Sequence, residues 1–122
     1  MKFEKISIGV DIEDVNRFKK LQIDKDKLFL EAIFTDKELD YCFSDMRFDQ
    51  HLAARYCAKE ATIKALSGFC IDYIKYNEIE ILNSSNGQPN LVVKALPNIK
   101  AKVSLSHTKT QAIAYVILIN TL

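Results

Sequence analysis

Residues 48–66, FDQHLAARYCAKEATIKAL, constrain the fold of this 122-residue chain more than any other stretch. They contain no glycine or proline, and Leu52, Tyr56, Ile63 and Leu66 recur at helical spacing as one apolar stripe. Ala54, Ala58, Ala61 and Ala65 form a second face of small residues. An amphipathic surface helix buries one side only, so a helix with both faces apolar is expected to be central. Gly68 is placed to terminate it.

The flanking segments supply partners for such a helix. Ile6, Ile8, Val10 and Ile12 alternate with Ser7, Gly9 and Asp11, the period of a half-buried strand. Val15, Phe18 and Leu21 follow at helical spacing, with Asp11 or Asp14 as the cap of a first helix. Another short helical piece is expected over residues 26–33. Thr35 and Glu38 fit a capping box that opens a helix running to about Phe43. Beyond the long helix the pattern turns strand-like. Residues 78–82 and 91–95 flank Asn86-Gly87, a hairpin signal. Residues 102–107 put Val103, Leu105 and His107 on one face, and residues 112–119 are nearly all apolar, as in an inner strand. The reading is an α+β fold, helices packed on an antiparallel sheet, in a single domain over residues 1–122.

Composition narrows the function classes. With 48% hydrophobic and 27% charged residues, three Gly and two Pro, the chain can bury a core and is not a disordered segment. A net charge of +1 provides no general field for nucleic acid, so an anionic partner must be met by a local cluster. Cys42, Cys57 and Cys70 are odd in number and lack metal-binding spacing, which fits free thiols in a reducing cytosol and a cytoplasmic protein. The charged N-terminal run is unlike a signal peptide, and the longest apolar run, residues 112–119, is too short to span a bilayer.

Several residues have the chemistry for a site. Asp11 follows the first strand on the face opposite its isoleucines. It is either a helix cap or a ligand for a hard cation such as magnesium. Glu60 has Lys64 at the i,i+4 spacing of a simple helical pair, yet Lys59 and Glu60 cut into the margin of the apolar stripe rather than joining a solvated face. Such charges either snorkel or serve a site. His107 ends a strand among Ser104, Ser106, Thr108 and Lys109, and is either a structural histidine or one of several donors to a phosphate. There is no glycine-rich phosphate loop, cysteine cluster or nucleophile elbow.

Taken in order, these blocks resemble the bacterial holo-acyl-carrier-protein synthases, small 4′-phosphopantetheinyl transferases. The resemblance rests on Ile8-Gly9-Val10-Asp11-Ile12 with Arg17-Phe18, on Phe34-Thr35 with Glu38-Leu39, and on residues 52–61 with Lys64-Ala65. It continues through Ile79-Glu80-Ile81, Asn86-Gly87-Gln88-Pro89 and residues 103–108. It implies transfer of 4′-phosphopantetheine from coenzyme A to a serine of apo acyl carrier protein, releasing adenosine 3′,5′-bisphosphate, in support of fatty acid synthesis. Asp11 and Glu60 match the magnesium carboxylates, and Glu60 and Lys64 the catalytic pair. Arg55, Lys64 and His107 match contacts to coenzyme A phosphates, Gly87 and Pro89 the nucleotide pocket, with Thr108 beside His107. Arg17 matches a carrier-protein contact. A homotrimer with sites between subunits is implied, which would account for the alanine face and the apolar last strand.

The chain departs from the family pattern at Ala54, Tyr56 and Cys57, where Gly, Phe and Ala are usual, and at Thr62 and Gln88. The chemistry is consistent, since phosphoryl transfer needs mainly positioning and charge neutralisation. Either Glu60 or a metal-bound water takes the serine proton. Two other classes compete: a non-catalytic carrier-protein or coenzyme A binder, which would tolerate loss of the carboxylate pair, and a small acyl-thioester hydrolase, which would bind coenzyme A without magnesium.

Overall fold

The computed structural model describes residues 5–122; residues 1–4, the start of the charged N-terminal run, lie outside the described residues. Five strands and three α-helices follow in the order β1 (Ile6–Asp14), α1 (Lys27–Ile33), α2 (Asp36–Cys42), α3 (Phe48–Ser67), β2 (Ile79–Asn83), β3 (Pro89–Val93), β4 (Ile99–His107) and β5 (Gln111–Asn120). An antiparallel sheet has the order β1-β5-β4, and β2 and β3 form a separate hairpin. The apolar β5 is thus the inner strand, as its composition requires. The α+β expectation holds.

α3 lies across this sheet on its alanine face. Ala54, Ala58, Ala61 and Ala65 are buried within the single chain, together with Ala114, Val116 and Leu118 of β5. The alanine face is therefore not left over for another subunit, which corrects that expectation. Its small residues have a definite use. A Cβ added to Gly9 would stand 1.9 Å from the Ala61 carbonyl oxygen, so β1 and α3 meet backbone to backbone. α3 runs to Ser67 and Gly68 takes the C-cap position, as expected of the terminator, in a right-handed conformation (φ −63°); the left-handed residue that follows is Cys70 (φ 61°).

The face of β1 that is buried differs from what an isoleucine stripe suggests. Ser7, Gly9, Asp11 and Glu13 turn toward α3, whereas Ile6, Ile8, Val10 and Ile12 are exposed. Only small or functional groups fit under a helix this close, so the large aliphatics face away. Pairing Ile12 with Ile113, Val10 with Tyr115 and Ile6 with Ile119 makes that outer face a continuous apolar surface.

The helix expected after β1 is reduced to a 3-10 turn, Val15–Phe18, which buries Val15 and Phe18; Asp14 precedes it without a side-chain capping bond and Asp11 remains inside the strand. Asp14 therefore occupies the N-cap position without making a capping bond, and Asp11 is not a cap. At α2 the capping box forms as read: Thr35 Oγ1 accepts from Glu38 N, and Glu38 Oε1 accepts from Thr35 N. Glu38 is nonetheless fully buried, because its carboxylate also pairs with Lys59 of α3 at 2.7 Å and accepts from Ile81 N of β2 at 2.8 Å. Between β2 and β3, Gly87 is left-handed at φ 84° and its N–H closes a turn onto Ser84 O, the role the Asn-Gly pair predicts.

Gly9→Ala forces a methyl into the Ala61 backbone, which cannot swing aside. A loss of about 3 kcal/mol or more is expected, read as a lower urea midpoint at unchanged slope. A variant as stable as the parent would show that β1 and α3 are not held at this separation.

Candidate active site

Two groups of polar side chains flank α3. The first gathers where β1 passes under the helix. Lys64 donates to Asp11 Oδ1 at 3.1 Å and to Val10 O at 3.0 Å, so the lysine bridges from the helix to the strand rather than serving Glu60. Glu60, one turn earlier, accepts instead from Tyr56 OH at 2.9 Å. Burial raises the pKa of the Tyr76 phenol, and the charges of Glu60 and then Asp11 raise it further. Asp11 Oδ2 is buried without a hydrogen-bond partner.

A third carboxylate belongs here. Glu13 shares the inner face of β1 with Asp11 and binds Arg17 at 2.5 Å. Its pKa is raised, chiefly by burial and against the pull of Arg17, with Asp11 adding to the rise. The i,i+2 alternation was a signal for Glu13 that the attention to Asp11 passed over. Arg17 itself lies on the 3-10 turn rather than on a first helix, with its guanidinium 5.3 Å from the Tyr56 ring centre.

The donor set suits a hard cation: carboxylate oxygens, one of them buried and unsatisfied. Among the described residues no three His, Cys, Asp or Glu side chains form a metal-binding group. A cation on Asp11 and Glu60 would therefore draw its remaining oxygens from substrate and water, as magnesium commonly does.

The second group surrounds a cavity of about 480 Å³ on another side of α3. Arg55, Gly87, Pro89 and His107 line it, as do Tyr41, His51 and Ser104. Arg55 is only 3% exposed. Its Nε donates to Ile81 O at 3.3 Å, its guanidinium lies 4.4 Å from the Tyr41 ring centre, and its Nη2 is buried and unpartnered. A guanidinium fixed on one side and free on the other is prepared for an anion. His51, anchored to Asp45 at 3.2 Å, was missed in the sequence because a lone polar residue near a helix start carries no signal. His107 is exposed at the end of β4, and Thr108 lines a smaller hollow beside it with Ile12 and Gln111. No residue of the carboxylate group lines the larger cavity. The structure thus joins Lys64 to Asp11, with Glu60 one helical turn before that lysine, and gathers Arg55, Gly87, Pro89 and His107 around the cavity.

The chain is similar to known proteins in sequence and in fold. The family model of the 4′-phosphopantetheinyl transferase superfamily matches residues 7–116. A holo-[acyl-carrier-protein] synthase of Cytophaga hutchinsonii is 42% identical over 123 residues, covering 90% of this chain and 94% of the relative. One from Thermodesulfovibrio yellowstonii is 39% identical over 111 residues, covering 91% and 96%. Among solved structures, the holo-(acyl-carrier-protein) synthase of Bacillus anthracis in complex with CoA (3′,5′-ADP) is similar, with a TM-score of 0.77, 32% identity, and coverage of 93% of this chain and 96% of that one.

Proposed function

This chain belongs to the 4′-phosphopantetheinyl transferase superfamily, and from that membership we infer that it transfers 4′-phosphopantetheine from coenzyme A to a serine of apo acyl carrier protein. The products are holo acyl carrier protein and adenosine 3′,5′-bisphosphate, and the role is in fatty acid synthesis. In this reading residues 1–122 act as one domain, and the free thiols Cys42, Cys57 and Cys70 fit a reducing cytoplasm. Among the described residues no helix is long and apolar enough to cross a membrane.

The observation that carries the site assignment is the pair of buried side-chain atoms left unpartnered among the described residues, Asp11 Oδ2 and Arg55 Nη2. One is an acceptor and the other a donor, and leaving either unmatched costs about 1–3 kcal/mol unless a ligand completes it. Asp11 and Glu60 would hold magnesium, which neutralises charge on the coenzyme A pyrophosphate. Arg55 and His107 bind phosphate oxygens in the cavity, where the Gly87–Pro89 turn forms the rim. Lys64 brings a further cation to the carboxylate side, so the leaving bisphosphate departs with its charge countered. Thr108 offers a hydroxyl next to His107.

In this reading the serine oxygen attacks the β-phosphorus, the bond to the bridging oxygen breaks, and the bisphosphate leaves. Either Glu60 or water held at the cation would take the serine proton.

The separation of carboxylates from cavity within one chain supports a site shared between copies. The outer face of β1 and β5 supplies an interface: Ile6, Ile8 and Ile12 are each about 60% exposed, beside Ile113 and Tyr115. Monomers seldom show water so continuous an apolar surface. We propose a homotrimer that covers this face and joins the two halves of the site.

The acidic carrier docks beside Arg17. Lys19, Lys20, Lys25 and Lys27 are exposed near it, and Leu28 and Phe29 of α1 add exposed apolar area. Charges at such a rim steer association and are screened by salt.

Four outcomes are expected. Incubating the chain with apo carrier protein and coenzyme A adds the mass of phosphopantetheine with magnesium and not with chelator. Asp11→Ala and Glu60→Ala each lower the rate by about a hundredfold or more, about 2.7 kcal/mol, at unchanged melting temperature. Near-normal rates in either variant would remove the metal assignment, while a thioester hydrolase would add no mass at all. Sedimentation at micromolar concentration gives a trimer, and a stable, active monomer would refute the shared site. Arg17→Gln raises KM for carrier protein severalfold at low ionic strength and leaves coenzyme A binding as it was; an unchanged KM would exclude this docking surface.

A further inference from the structure

The Tyr56 hydroxyl is where this chain differs from the family pattern next to a proposed metal ligand. Tyr56 OH donates to Glu60 Oε1 at 2.9 Å, one helical turn away. The ring that carries it is fixed on three sides. It stacks on Tyr76 with centroids 5.6 Å apart and planes at 28°, meets Phe18 at 5.6 Å, and lies 5.3 Å from the Arg17 guanidinium. Tyr76 is itself anchored, because its carbonyl accepts from the buried Lys59 Nζ at 2.9 Å.

A contiguous path therefore runs from the Glu38–Lys59 pair through Tyr76 and Tyr56 to Glu60. We propose that Tyr56 is a positioning residue for the cation site, its hydroxyl holding Glu60 Oε1 so that Oε2 is the oxygen presented to magnesium. The proposal rests on the reading of Asp11 and Glu60 as magnesium ligands.

A phenol hydroxyl is a donor, and an ionised carboxylate can only accept, so the bond has one direction. A glutamate on a helix has three rotatable bonds, and without the hydroxyl the carboxylate loses a partner that fixes its rotation. Hydrogen bonds from outside the coordination shell orient metal-binding carboxylates, and removing such a partner typically weakens metal binding about tenfold to a hundredfold.

Tyr56→Phe tests this cleanly, since the stack, the Phe18 contact and the position under Arg17 are all retained. Magnesium is titrated calorimetrically into the chain with coenzyme A present and carrier protein absent, against a blank of coenzyme A alone. The variant is expected to bind magnesium about tenfold or more weakly. Its transfer rate, low at limiting magnesium, should return toward the parent value at saturating magnesium. A hydroxyl with a purely structural role would instead lower the melting temperature and leave the magnesium constant unchanged, and that result overturns the proposal. A parent chain that binds no magnesium overturns the metal reading itself and this inference with it.

Discussion

The buried ion pair between Glu38 and Lys59 is the interaction on which most of the structure depends. Both side chains are fully inaccessible, and removing two charges from water is costly unless each is fully hydrogen-bonded. Here they are. Lys59 uses Glu38, the Tyr76 carbonyl and the Ile79 carbonyl; Glu38 uses Lys59, the Thr35 amide and the Ile81 amide. Desolvation lowers the Lys59 pKa, and the charge of Glu38 acts against it. One pair thereby ties α2, α3, β2 and the turn before β2 together. Removing either partner would strand a buried charge, a penalty of about 3–5 kcal/mol. Specificity rather than gross stability is the return, because few alternative packings satisfy five such bonds.

A second constraint acts on the opposite side of α3. The close approach of Gly9 to the Ala61 backbone brings the inner face of β1 under the helix, and that face carries Asp11 and Glu13. Carboxylates in this position are partly desolvated and crowded, which explains the raised Glu13 pKa and the recruitment of Lys64 and Arg17 as counterions. Cys57 shows the same environment: burial first, then Asp11, push its thiol up to about 12. Such a thiol is a packing group and not a nucleophile. The alanines that look like filler in the sequence are what permits this approach.

The two constraints meet in α3, which presents Arg55 to a cavity on one side and Glu60 and Lys64 to the carboxylates on another. The helix is therefore the frame of the site as well as of the core. Its large-residue stripe rests on β2 and the turns, its small-residue face on β1 and β5, and the functional residues occupy the seams between. That geometry explains why charged residues interrupt an apolar pattern at Arg55, Lys59 and Glu60: each reaches a defined polar partner rather than water.

The sequence by itself determined the local elements whose signals are short-range. The capping box at Thr35 and Glu38, the left-handed Gly87 in the hairpin and the inner strand over residues 112–119 all depend on neighbours within a few positions. It also named Asp11, Glu60, Lys64 and Arg55, through the order of blocks along the chain. Only tertiary structure decided which face of β1 is buried, since alternation fixes a period and not a side, and the closeness of α3 admits Gly9 while excluding Ile8. It likewise decided that Lys59 pairs with Glu38, that Lys64 pairs with Asp11 instead of Glu60, and that the segment after β1 is a 3-10 turn. These depend on which distant groups arrive within about 3 Å, and spacing along a chain contains no record of that distance.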